Sequence, residues 1–62
     1  MNQSARVFII GIIMGDNSKD VRTFYVADFD AACKRVYSLY PNWVSILQLN
    51  ENEIFDFLKD QN

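Results

Sequence analysis

The hydrophobic pattern of the first half of the chain predicts two strands joined by a loop. Residues 7–14 are almost continuously apolar and rich in β-branched side chains, which is typical of a central strand covered on both faces. A polar cluster over 15–20 predicts a turn longer than a two-residue hairpin loop. Residues 21–27 predict a second strand, and Arg22 favours an edge position for it.

A helical period follows Asp28, which is a good N-cap residue. Asp30 and Lys34 are spaced for an ion pair on the polar side of this helix. Pro41 ends the helix at about Tyr40. The apolar positions recur at helical spacing and define one face: Phe29, Ala32, Cys33, Val36, Tyr37 and Tyr40.

Residues 43–49 return to a strand pattern. Its alternation places Val44 and Ile46 on one face and Trp43, Leu47 and Leu49 on the other. From Asn50 the pattern changes again, because Asn50 and Glu53 have the spacing of a capping box and apolar residues follow. The sequence therefore predicts a short C-terminal helix.

These elements predict an α+β fold in which residues 1–62 form a single domain. A β-β-α-β unit carries a three-stranded sheet of order 2-1-3, because that order puts the most apolar strand in the centre. The hairpin makes the first two strands antiparallel, and the helical crossover makes the second and third parallel. The first strand is apolar on both faces, so either the C-terminal helix, another subunit or a target must cover the second face.

Composition argues against an enzyme. The chain of 62 residues has no His and one Cys, which excludes Ser-His-Asp and Cys-His triads, zinc fingers and intramolecular disulfides. Asp16, Asn17 and Asp20 lack the spacing of a calcium loop, and Gly11 and Gly15 match no phosphate-binding motif. We therefore expect no catalytic residue, no cofactor and no metal site, and we interpret Cys33 as a structural thiol.

Charge and length restrict the partners. The net charge is −2, whereas nucleic-acid binders usually carry an excess of basic residues, so nucleic acid is disfavoured as a partner.

The apolar run of residues 7–14 is too short to span a membrane and precedes no cleavage site. The single Cys favours a cytoplasmic location. Nine aromatics in so small a core favour a homodimer or another protein partner.

The end of the chain, which we call the acidic segment (residues 51–60), combines negative charge with aromatic residues. Its carboxylates could steer the chain onto a basic protein surface, and its two phenylalanines could anchor it there. The alternative is that these charges merely solvate the outer side of a short helix. The candidate partner-binding residues are Glu51, Glu53, Phe55, Asp56, Phe57 and Asp60.

A second hypothesis places single-stranded nucleic acid on the sheet. Aromatic side chains interleaved with arginine on an open sheet can stack unpaired bases. The candidate residues for this face are Arg6, Phe8, Arg22 and Phe24. A third possibility is a structural subunit of a larger assembly.

The order of strand 6–14, polar turn, strand 21–27, a helix that begins Asp28-Phe29-Asp30-Ala31-Ala32 and re-entry at Pro41-Asn42-Trp43 resembles small phage-encoded β-β-α-β proteins. Some of these inhibit host RNA polymerase or DNA-repair enzymes. The resemblance implies a non-enzymatic protein that binds and inhibits a host protein machine in the host cytoplasm. The polymerase inhibitors carry a basic stretch after the third strand, whereas this chain continues with acidic Glu51-Asn52-Glu53.

Overall fold

The computed structural model describes residues 6–59, which form a β-β-α-β unit and a short C-terminal helix. The elements are β1 (Arg6–Met14), β2 (Lys19–Val26), α1 (Phe29–Leu39), β3 (Trp43–Leu49) and α2 (Ile54–Lys59), with a 3₁₀ turn (Glu51–Glu53) before α2. This α+β architecture is the one that the hydrophobic pattern predicts.

The sheet has the order β2-β1-β3, as predicted. β1 is antiparallel to both neighbours, so β2 and β3 run parallel to each other on either side of it. Gly11, near the middle of β1, lies opposite Val21 of β2 and Leu47 of β3. The most apolar strand therefore occupies the central position, where it has a hydrogen-bonded neighbour on each side.

Helix α1 covers the sheet face that carries the even-numbered side chains of β1. The Asp28 carboxylate accepts a hydrogen bond of 2.9 Å from the Ala31 N–H, which confirms the predicted N-cap. Asp30 and Lys34 approach to 3.4 Å on the exposed side of the helix. The core beneath α1 consists of buried apolar side chains from three elements: Phe8, Ile10, Ile12, Phe24, Val26, Ala32 and Val36.

The start of β3 differs from the predicted alternation. The register between β1 and β3 shifts at Ile13/Met14, so that Met14 lies opposite Trp43 while Ile13 lies opposite Ser45. The extra residue turns Trp43 toward α1, where its ring stacks on Tyr37 with centroids 4.9 Å apart. The prediction that Trp43 shares a face with Leu47 and Leu49 is therefore wrong.

Helix α2 folds back over the opposite face of its own sheet. The Phe57 ring sits above Gly11, where a Cβ would lie only 2.8 Å from Phe57 Cζ. Leu49, 7% exposed, lies beside it, with its Cδ1 3.0 Å from the same position. The missing side chain at Gly11 thus leaves the space that the phenyl ring fills, which settles how the second face of β1 is covered at this point.

Candidate interaction surface

The described part of the chain offers surfaces rather than cavities. Residues 6–59 enclose no pocket and bring together no group of three or more side chains able to hold a metal ion. In the same range, no helix combines the length and the apolar character that crossing a bilayer requires.

The polar residues of the β1–β2 loop hold the loop itself. The Asp16 carboxylate accepts hydrogen bonds from the Ser18 hydroxyl (2.6 Å) and from the Ser18 N–H (3.0 Å). These bonds, with the hydroxyl contributing most, lower the pKa of Asp16. Asp20 instead accepts a hydrogen bond from the Tyr40 hydroxyl, on the side of the sheet that α1 covers. The two carboxylates therefore serve separate intramolecular contacts.

Cys33 lies partly buried on α1. Burial first, and then the negative charge of Asp30, raise the pKa of the Cys33 thiol. A reactive cysteine needs a positive surrounding that favours the thiolate. The surroundings of Cys33 do the opposite, so its thiol stays protonated at neutral pH.

Three carboxylates of the acidic segment lie within the described residues, and all three are exposed. Glu51 is exposed at the start of the 3₁₀ turn. The Glu53 carboxylate accepts the Asn50 N–H at 2.7 Å, which is the glutamate half of the predicted capping box. Asp56 lies 3.7 Å from Lys59 in a solvent-exposed ion pair, a type of contact that stabilises little. Asp60 lies outside the described residues.

The two phenylalanines of the acidic segment point in opposite directions. Phe55 is 75% exposed, whereas Phe57 is partly buried over Gly11. Residues two positions apart on a helix do not share a side, since each residue advances by about 100°. This corrects the expectation that both rings anchor a partner, because Phe57 anchors α2 to its own sheet.

A lysine of β2 also contacts Phe57 and so helps to attach α2 to the sheet. The Lys19 ammonium donates a hydrogen bond of 3.1 Å to the Phe57 carbonyl oxygen and lies 5.1 Å from the centroid of the Phe57 ring. Sequence reasoning gave Lys19 no role beyond turn polarity. The pattern contains no signal for it, because the contact joins residues 38 positions apart.

The residues of the alternative nucleic-acid face do not form an open surface. Phe8 and Phe24 lie opposite each other in the β1–β2 register, but they are only 7% and 6% exposed beneath α1. Arg6 and Arg22 are exposed. This corrects the expectation of stacking platforms, because a base needs the open face of a ring and these two rings belong to the core.

Several large apolar side chains outside the acidic segment are exposed. On the side of α2, these are Val7 and Tyr25, which lie opposite each other at the end of the β1–β2 pair. Around β3 they are Tyr37, Trp43, Val44 and Leu47, at 36–61% exposure. Exposed apolar side chains therefore lie along β3 and at the end of the β1–β2 pair, in addition to Phe55 on α2.

No protein-family model, curated protein or solved structure matches this chain.

Proposed function

We propose that this chain is a non-enzymatic protein-binding module that docks through the outer side of the acidic segment. It occupies a basic surface on a larger host protein in the cytoplasm, such as RNA polymerase, a nuclease or a defence complex, and inhibits or modulates it. The source that fits this role is a phage or another mobile element.

The observation that carries the proposal is the position of Phe55. A phenylalanine that is 75% exposed leaves most of its apolar surface in water, and burying that surface against a partner is favourable. Glu51 precedes it by four residues and Asp56 follows it, and both carboxylates are exposed. An apolar anchor beside negative charges suits a partner pocket with a basic rim.

The test compares aromatic residues of similar exposure. The immobilised 62-residue chain is used to capture proteins from bacterial lysate, and the affinity of the retained partner is then measured for purified variants. Phe55→Ala should weaken binding by about tenfold or more. Tyr25→Ala removes a ring that is 71% exposed outside the acidic segment, and should leave binding unchanged.

A matched pair of charge variants tests steering. Asp56→Asn and Asp30→Asn each remove one carboxylate from an exposed intrahelical ion pair. Only Asp56→Asn should slow association and reduce its dependence on salt. Equal effects of the two, unchanged binding by Phe55→Ala, or recovery of nucleic acid alone would contradict the proposed function.

A further inference from the structure

β3 lies at an edge of the three-stranded sheet. Within residues 6–59 it pairs with β1 alone, so its alternate backbone N–H and C=O groups point away from the sheet. A row of such groups is a template for pairing with another strand. Proteins usually protect such an edge with charged residues, proline, strong twist or a covering loop.

β3 has neither the charged residues nor the proline that usually protect an edge strand from pairing. Its seven residues, Trp43–Leu49, include no charged residue, no proline and no glycine. The register shift near Met14 disturbs only its first residues, and Ser45–Leu49 pair regularly with β1. The regular part of this edge is therefore neutral and evenly paired with β1, which allows it to accept a further strand.

The opposite edge of the sheet differs in this respect. β2 carries Lys19, Asp20 and Arg22 among its eight residues. A second strand brought to that edge would lie beside Arg22, an exposed charged residue. The sequence thus protects one edge of the sheet and leaves the other open.

We propose that the open edge of β3 pairs with β3 of a second copy of this chain. A two-fold axis perpendicular to the sheet would set the two strands antiparallel and join the sheets into one of six strands. Centred on the regular stretch, the axis brings Leu47 opposite the Leu47 of the second copy. The pairs on either side are Ile46 with Gln48 and Ser45 with Leu49.

The chemistry of β3 favours a second copy over another partner. Isologous pairing places identical segments against each other, so any charged residue near the axis would face its own charge. β3 avoids that repulsion, because its seven residues are neutral. Pairing also covers Leu47, which is 40% exposed, and the leucines meet at a distance typical of cross-strand pairs.

The expected dimer is a weak one. A seven-residue strand is about 24 Å long, so a single edge buries less than the roughly 800 Å² per partner of a standard interface. We therefore expect a monomer–dimer equilibrium with a midpoint between about 10 µM and about 500 µM. The paired residues, 45–49, do not include those of the acidic segment, so variants at Leu47 test this proposal independently of the proposed function.

Sedimentation velocity on the full chain, from about 5 µM to about 1 mM, tests the proposal over the expected range. Wild type should shift from monomer to dimer with concentration. Leu47→Lys and Leu47→Glu should each raise the dissociation constant by about tenfold or more, because like charges meet at the axis. An equimolar mixture of the two variants should restore the dimer, which only a contact between the two copies of residue 47 explains.

Thr23→Lys adds the same charge at an exposed position of the β2 edge and should leave dimerisation unchanged. Circular dichroism establishes that each variant is folded, and Gln48→Lys, at an exposed position of β3, replaces Leu47→Lys should that variant unfold. A wild type that stays monomeric at about 1 mM, a dimer insensitive to both β3 lysines, or assembly into open polymers would overturn the proposal.

Discussion

The two helices pack on opposite faces of β1 and are attached to it in different ways. Helix α1 covers the even-numbered side chains of β1, and α2 covers part of the other face. Beneath α1, side chains from β1, β2 and the helix form one continuous core, in which Ile10, Ile12 and Val36 are fully buried. Helix α2 has six residues and none of them is buried. It is held by the Phe57 ring above Gly11 and by the Lys19 contact.

This difference separates the part of the molecule that defines the fold from the part that can move. Six residues are too few for a helix that is stable by itself in water. The free energy that keeps α2 in place comes from a small number of contacts, so α2 is expected to open locally before the sheet unfolds. The proposed docking surface around Phe55 lies on this weakly held element.

The largest expected effect is on the α1 face. Ile12→Ala removes a fully buried side chain, and the resulting cavity should lower the free energy of unfolding by about 2–4 kcal/mol. Leu58→Ala, in the partly buried part of α2, should cost less than half as much. Urea denaturation of both variants measures the difference, and equal losses would contradict the distinction between the two faces.

The next largest effect concerns the two phenylalanines of α2. Phe57→Ala should lower the free energy of unfolding by about 1–2 kcal/mol, because a partly buried ring loses its contact with the sheet. Phe55→Ala, at 75% exposure, should change it by less than about 0.5 kcal/mol. Hydrogen exchange should show faster exchange of the α2 amides in Phe57→Ala alone.

The space above Gly11 gives a smaller and more specific test. Gly11→Ala places a methyl group against the Phe57 ring and Leu49 Cδ1, so one of them must shift, and we expect a loss of about 1 kcal/mol. In the Phe57→Ala background the ring is gone and most of this loss should disappear. A double-mutant cycle measures the coupling, and additive effects would show that Phe57 does not occupy this space.

Local patterns predicted most of the fold. The apolar run of β1, the cap at Asp28 and the acid-base spacing of Asp30 and Lys34 each depend on residues close in sequence, and the structure places all three as expected. The strand order followed from one further requirement, that the most apolar strand lies in the centre. Element boundaries differ by a residue or two, as at β2, which begins at Lys19.

The surface was harder to predict, because it depends on contacts between distant residues. The alternation of apolar and polar residues in β3 does not indicate the bulge that turns Trp43 toward Tyr37. Gly11 matches no phosphate-binding motif, and no local pattern indicates that its missing side chain accommodates Phe57. The opposite directions of Phe55 and Phe57 could have been read from their spacing, since residues at i and i+2 lie on different sides of a helix.

The smallest expected effect returns to the α1 side, where Tyr40 packs against the core and donates a hydrogen bond to Asp20. Burial first, and then this hydrogen bond, raise the pKa of the Tyr40 hydroxyl above 10.0. The folded state therefore holds the proton more tightly than the unfolded chain, so the stabilisation is complete below about pH 10 and is lost as the pH rises through the folded-state pKa. Tyr40→Phe removes both the hydrogen bond and its titration, so the stability difference between wild type and Tyr40→Phe should shrink as the pH rises from about 10 through the folded-state pKa of Tyr40. The raised pKa of Cys33 changes the stability of both proteins in the same direction, so its contribution cancels when the two are compared at each pH. A stability difference that stays constant across this range would show that the hydroxyl proton contributes nothing to holding α1 against the sheet.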